Sequence, residues 1–188
     1  MDCDDRRRLM GGGRKGDVDS RLALQWIRNA IRAAEEVGTG TPHWSALLLW
    51  YVLLYDILSD MHERLRGFTV PLFEGAATPY RDLFARATEQ VEVLQRVFTR
   101  DELLYIQYRR DEACHSKIDS YDYRLRDGKV KKNKETLLGI LDLSEIDASI
   151  TRLLRSVNLD EVELARSMAA RSLSALVDVH RACLPLFG

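Results

Sequence analysis

Apolar positions along this chain recur mostly at intervals of three and four, the period of a helix with one buried face. Ala23, Trp26, Ile27, Ala30, Ile31 and Ala34 form a first stripe, closed by Gly38 and Gly40. Thr41-Pro42 then reads as an N-cap followed by proline at the first helical position, where its missing N–H has no partner to lose. From Trp44 to about Arg66 the chain is apolar on nearly every side until Asp56, as expected of a central helix packed by several neighbours. Gly67 ends that helix. A loop rich in Gly, Pro and Thr leads to Thr78-Pro79, a second cap-plus-proline start, after which Phe84, Ala87, Val91, Leu94 and Phe98 follow at helical spacing.

Thr99-Arg100-Asp101-Glu102 fits a capping box, in which Thr accepts from a backbone N–H and Glu reaches back; it predicts a new helix carrying Leu103, Leu104 and Ile106. The pattern then changes. Five of the six lysines fall between Lys117 and Lys134, and alternation about Asp127-Gly128 predicts a short β-hairpin or an extended basic arm. Helices are expected to resume from about Lys134 and again from Ser144. Asn158-Leu159-Asp160-Glu161 reads as a further capping box, opening a last helix with Val162, Ala165, Met168, Ala169, Leu173 and Leu176 inside, which Leu184-Pro185 stops. No internal repeat and no βαβ pattern occurs. The expectation is an all-α, up-and-down bundle of about five to six helices with a short basic hairpin or loop excursion, formed by residues 20–188 as one domain.

Composition adds limits. With 188 residues the chain is long enough for one sizeable core. A formal net charge of −1 means that affinity for an anionic partner must come from local clustering. Cys3, Cys114 and Cys183 are scattered, without a C-x-x-C pair, which speaks for reduced thiols and a cytoplasmic setting rather than a disulfide framework or zinc site. Residues 1–19 lack apolar periodicity and are expected to be disordered; Met1 to Arg8 has no apolar h-region, so it is not a signal peptide. Gly11-Gly12-Gly13-Arg14-Lys15-Gly16 has neither a preceding strand nor a Lys-Ser/Thr, so it is not read as a phosphate loop. The run Ala46 to Tyr55 is too short to cross a bilayer, and no membrane association is expected.

The densest chemistry lies in Tyr108-Arg109-Arg110-Asp111-Glu112-Ala113-Cys114-His115. A histidine moves protons near neutral pH and an arginine stabilises charge on a phosphate, which together suffice to cleave RNA without a metal. On a helix Arg110 and His115 are about 140° apart, whereas Asp111 and His115 share a face and Asp111 would fix the imidazole tautomer. The same residues also form a solvated, salt-bridged helix surface, since Arg-Arg-Asp-Glu supplies its own partners. Directly after them come Tyr121, Tyr123, Arg124, Arg126, Lys129, Lys131, Lys132 and Lys134, cations for a phosphate backbone with tyrosines for stacking on unpaired bases, or an exposed loop kept soluble by lysine.

The Arg–His spacing resembles the R-x4-6-H signature of the HEPN superfamily of small helical proteins, which includes many bacterial toxin and defence ribonucleases. The resemblance carries over Arg110, Asp111 and His115, with Arg109 as the alternate arginine; the polar residue usual after the family's Arg is here Asp111. It implies a homodimer whose two motifs line one cleft, RNA as substrate, a cognate antitoxin or defence-complex protein as a further partner, and no cofactor or metal. It also implies the chemistry: attack of the RNA 2′-hydroxyl on the adjacent phosphorus, leaving a 2′,3′-cyclic phosphate. The best-defined toxin subgroup has a Tyr two residues past the His, where this chain has Lys117, so control by tyrosine modification is not implied. Members without activity serve as binding modules, and a non-catalytic helical interaction or RNA-binding module is the alternative.

Other candidates read as structural. Asp56, Asp60, His62 and Glu63 combine oxygen and nitrogen donors, but no second helix carries a matching Glu-x-x-His, and a salt-bridged helix end near Arg64 and Arg66 explains them. Asp56, inside an apolar run, reads as a hydrogen-bonded core or interface carboxylate. His43 belongs to a helix start beside Trp44, and Asp178 and Arg181 account for His180. Trp26, Trp44, Trp50 and Tyr51 read as core or interface. Cys114 and His115, as helix neighbours, diverge too far for a nucleophile pair.

Overall fold

The computed structural model describes residues 20–40, 42–62, 65, 78–114 and 133–187, and among them six α-helices and one two-stranded hairpin. In chain order these are α1 (Ser20–Thr39), α2 (Trp44–Asp56), α3 (Thr78–Arg96), α4 (Arg100–Cys114), β1 (Asn133–Thr136), β2 (Gly139–Asp142), α5 (Leu143–Ser156) and α6 (Glu161–Phe187). The chain is an all-α bundle with one small hairpin. The expectations for residues 1–19, Thr41, Glu63, the loop after Gly67, His115, Tyr121, Tyr123, Arg124, Arg126, Lys129, Lys131 and Lys132 lie outside the described residues.

The first stripe behaves as its periodicity predicts: Ala23, Ile27, Ala30 and Ala34 are buried where α1 packs along α6. On α6 the small residues Ala165, Ala169, Ser172 and Ala175 are buried beside Met168 and Leu176. Small facing side chains let helix axes approach closely. α6 also packs along α3, and α2 lies between α1 and α4.

Helix α2 begins at Trp44 with His43 as its N-cap, two residues past the proline expected at its first position. It runs on into a π-helical turn, Ile57–Met61. Trp44–Met61 is 18 residues with a mean hydropathy of 1.2, enough by length and composition alone to cross a membrane. Its apolarity has a second use here, because Leu47, Trp50, Leu54, Ile57 and Leu58 are buried against neighbouring helices.

Three expectations are corrected. Residues 133–142 form a hairpin, not a helix resuming at Lys134: Thr136 pairs with Gly139 across a tight turn, and Gly139 takes φ +98°, open to glycine without strain. The Thr136 hydroxyl closes the turn, donating to the Gly139 carbonyl at 2.7 Å and accepting from Leu138 N–H at 3.1 Å. The cap of α6 is Asp160, whose carboxylate accepts from Glu163 N–H at 3.0 Å; Asn158 and Leu159 form a left-handed turn before it, with φ 52° and 64°. Finally, α6 continues through Pro185 to Phe187. Proline removes one helical N–H, and burial of Leu186 beyond it, worth about 1.5–3 kcal/mol, offsets that loss.

Candidate functional site

Helix α4 carries Arg109, Arg110 and Asp111 of the motif, and its start is held locally. Glu102 accepts from Thr99 N–H at 2.8 Å while the Thr99 hydroxyl accepts from Glu102 N–H at 3.3 Å, the reciprocal capping box the sequence predicts. Asp101 and Glu102 in the first turn also complement the helix dipole. Beyond the cap, α4 is buried on most sides, and its burial includes polar residues: Glu102, Gln107, Arg109 and Asp111. Each of these has a partner on another element or within α4, as buried polar groups require.

Glu102 binds Arg171 of α6, which also donates to the Val97 carbonyl at 3.1 Å. Gln107 holds the hairpin turn through backbone groups, donating to Glu135 C=O at 3.0 Å and accepting from Leu137 N–H at 3.1 Å. Asp101 receives a two-pronged bond from Arg152 of α5, at 2.8 and 2.7 Å, which holds its carboxyl below the ordinary value. These bonds make α4 the element that fixes the hairpin, α5 and α6.

The two arginines of the motif diverge, as residues 100° apart on a helix must. Arg109 turns inward. Its side chain is 5 % exposed, with Nη1 at 2.6 Å from Glu112 and Nη2 at 3.1 Å from Glu161 of α6. Its guanidinium carbon lies 4.3 Å from the Trp44 ring centroid, a cation–π contact that covers the remaining face. Tyr51 and Tyr105 line the same interior region, and burial raises both phenols above their ordinary value.

Arg110 turns toward α2 and reaches solvent. Its side chain is 30 % exposed, Nη1 binds Asp111 at 3.1 Å, and the guanidinium sits 4.8 Å over the Tyr55 ring. Asp111, itself buried, also accepts from Lys134 of β1 on its other oxygen. The chain therefore leaves α4 after Cys114 and returns at Asn133 beside one carboxylate that binds a cation at each end. No protein-family model, curated protein or solved structure matches the chain.

Next to Arg110 stands Asp56, the last residue of α2. Burial pushes its carboxyl up to about 6, Asp60 one turn on adds to the rise, and Arg110 works the other way. Tyr55 is likewise raised by burial, eased by its hydrogen bond with Ser59 and by Arg110.

The site residues named from sequence therefore fall into three sets. Arg110, Asp111 and Lys134 come together, with Lys134 in a partly buried ion pair rather than free on an arm. Arg109 is separate, engaged with Glu112, Glu161 and Trp44. His115 and the tyrosines and cations from 121 to 132 lie outside the described residues. Sequence reasoning missed Tyr55 and Glu161 as partners of the two arginines; the break in apolarity at Asp56 was the only local signal near the first.

Of the second constellation, Asp56 and Asp60 stay within electrostatic reach of each other, and Glu63 lies outside the described residues. His62 faces Glu92 of α3 at 3.6 Å, and among the described residues no three His, Cys, Asp or Glu side chains converge on a common point. His180 accepts from Arg28 Nε at 3.1 Å, a partner on α1 rather than the Asp178 and Arg181 expected; Arg181 and Asp178 pair with each other at 3.2 Å. Burial and then Arg28 lower the His180 value, in keeping with a neutral acceptor. Cys114 is an exposed free thiol, and burial pushes the Cys183 thiol up to about 12.

Proposed function

We propose that this chain is a HEPN-like, metal-independent endoribonuclease of a toxin–antitoxin or antiviral defence system. Arg110 stabilises the phosphate in flight and His115 transfers protons. The observation that carries this reading is the Arg110–Asp111–Lys134 junction. It ties both ends of residues 115–132 to the one motif arginine that reaches solvent. That segment holds six cations (Lys117, Arg124, Arg126, Lys129, Lys131 and Lys132) against three carboxylates, together with Tyr121 and Tyr123. Its composition suits phosphate-backbone contacts and base stacking. Arg110 is the better of the two arginines for this work, because Arg109 already neutralises two carboxylates inside the bundle.

In the reaction the 2′-hydroxyl loses its proton and attacks the adjacent phosphorus, and the 5′-oxygen leaves with a proton. A 2′,3′-cyclic phosphate and a 5′-hydroxyl result. Arg110 binds the non-bridging oxygens more strongly as their charge grows. A second copy of the chain, RNA, and an antitoxin or defence-complex protein are the proposed partners, in the cytoplasm.

A non-catalytic RNA-binding module is the second reading, favoured by Asp56 and Asp111 beside Arg110, two carboxylates that oppose a further anion. One experiment separates the two. Purified wild type and His115→Ala are incubated with mixed cellular RNA in EDTA, and fragment ends are identified. Cleavage by wild type alone, with cyclic phosphate ends and no cutting of 2′-deoxy strands, is the expected result. Folded wild-type protein that leaves RNA intact but binds it through the basic segment refutes the enzyme and favours the module.

A further inference from the structure

We infer that the solvent-facing side of α2 is an interface between two copies of this chain, paired antiparallel about a two-fold axis between Leu49 and Val52, with Ser45 of each copy against Asp56 of the other. The inference deepens the reading above at one point, the second copy it names, and rests on no part of the cleavage chemistry.

Ser45, Leu49, Val52 and Asp56 recur at intervals of four, three and four, so they share one stripe of α2. None of them is buried, and Leu49 is 53 % exposed. Leu47, Trp50, Leu53 and Leu54 between them face the core. The stripe is thus the side of α2 that its neighbours α1 and α4 leave uncovered. For an uncovered side it belongs to a very apolar helix. Trp44–Met61 has a mean hydropathy of 1.2, yet only 44 % of it is buried, and Trp44 at its start is 49 % exposed. Apolar side chains left exposed along one helix face mark an interaction surface.

The order of polar and apolar residues along the stripe selects the occupant. Serine and aspartate end it, and leucine and valine form its centre. An antiparallel copy therefore packs Leu49 on the partner's Val52 and carries the Ser45 hydroxyl to the partner's Asp56, twice by symmetry. Each end supplies what the other lacks. Among the described residues nothing donates a hydrogen bond to the Asp56 carboxylate, and the Ser45 hydroxyl stands at the exposed start of α2, 3.3 Å from His43 Nδ1. A parallel copy would set each Asp56 against its own equivalent, where like charges repel. A bilayer would take in Asp56 and Asp60 without a cation, and Trp44–Met61 holds no lysine or arginine to meet lipid phosphates.

Ser45 and Asp56 are about 16 Å apart along the helix, a short strip. A standard stable interface buries roughly 800 Å² per partner, so this pair is a weak one that separates on dilution.

The test is the mass of the full chain by sedimentation velocity without RNA, over about 1–200 µM, the range in which small interfaces associate. Wild type is expected to pass from one chain mass to two across the series. Leu49→Glu puts a charge at the centre of the seam in both copies and should raise the dissociation constant by at least about 100-fold, leaving a monomer with unchanged circular dichroism. A Ser45→Cys, Asp56→Cys double variant, with Cys3 and Cys114 replaced by serine, reads the pairing itself. The two positions are too far apart on one helix for an internal disulfide, so mild oxidation should give a covalent dimer, which neither cysteine alone should form. Wild type that stays monomeric throughout overturns the inference, as does a dimer that Leu49→Glu leaves intact. A dimer without the 45–56 crosslink overturns the antiparallel pairing. Wild type that remains monomeric but sediments with phosphatidylcholine–phosphatidylserine vesicles through Leu49 assigns the face to lipid and overturns it too. Should Leu49→Glu not fold, the crosslink decides. None of these outcomes depends on RNA cleavage, which stands or falls by the His115 experiment above.

Discussion

Replacing Arg109 and Arg110 one at a time separates structure from chemistry within two adjacent residues. Arg109 is 5 % exposed and holds Glu112 and Glu161, which are 43 % and 33 % exposed. Breaking a fully buried ion pair costs roughly 3–5 kcal/mol. Both partners here regain solvent once released, which brings the electrostatic share to about 1–2 kcal/mol. Losing the guanidinium from the Trp44 ring adds about 0.5–1 kcal/mol. The lost packing of the buried stem adds roughly another 1 kcal/mol. Arg109→Ala should therefore lose about 3 kcal/mol, or about 6–12 °C in Tm for a chain of this size. Arg110→Ala removes a side chain 30 % exposed and one ion pair, and should cost about 1 kcal/mol or less. Urea unfolding followed by far-ultraviolet circular dichroism measures both, and RNA cleavage is assayed on the same preparations below the transition. An Arg109→Ala protein within about 0.5 kcal/mol of wild type, the range of an ordinary surface change, would refute the division. So would Arg110→Ala that cleaves RNA normally while Arg109→Ala, still folded, does not.

Asp56 has a stability signature of its own. Its ordinary value is near 4 and its folded value about 6, so between those values the native state keeps a proton that the unfolded chain has lost. Stability from this group therefore falls as pH rises from 4 to 6 and is level above. Asp56→Asn should be more stable than wild type above pH 6, by about 1 kcal/mol after discounting for partial exposure, and equal to it below pH 4. Urea midpoints at pH 4 and 7 check this, and equal offsets at both would exclude it. At the start of α4, Thr99→Ala should lose about 1 kcal/mol, the worth of one cap. Glu102→Ala removes the other half of that box together with the buried partner of Arg171 and should lose about 2–3 kcal/mol; equal losses in the two variants would show that the α4–α6 ion pair contributes nothing.

Much of the helical framework was legible because the forces behind it are local. The Thr99–Glu102 box closes within one turn, and the α1 stripe follows from a 3.6-residue period that holds in any helical context. The hairpin at 133–142 was not legible. Thr-Leu-Leu-Gly is too short to tell strand from helix by periodicity, and Gln107, which binds its backbone, is 28 and 30 residues away in sequence. The end of α6 was misjudged for a similar reason: a proline rule read locally does not include the burial of Leu186 on the far side.

The candidate site divides the same way. By itself the sequence determined that an arginine pair, an aspartate and a histidine follow one another at the end of a capped helix, with a basic, tyrosine-bearing segment behind them. Side-chain chemistry and helical spacing are properties of the chain and need no partner. Which arginine faces inward was decided only by tertiary structure, because Trp44 and Glu161 arrive from other helices to enclose Arg109 while Tyr55 supports Arg110 at the surface. The elevated Asp56 has the same origin: its charge is disfavoured by what packs around α2 and by the approach of Asp60. Solvation and Coulomb energies depend on distance in space, and sequence order specifies that distance only within a few residues.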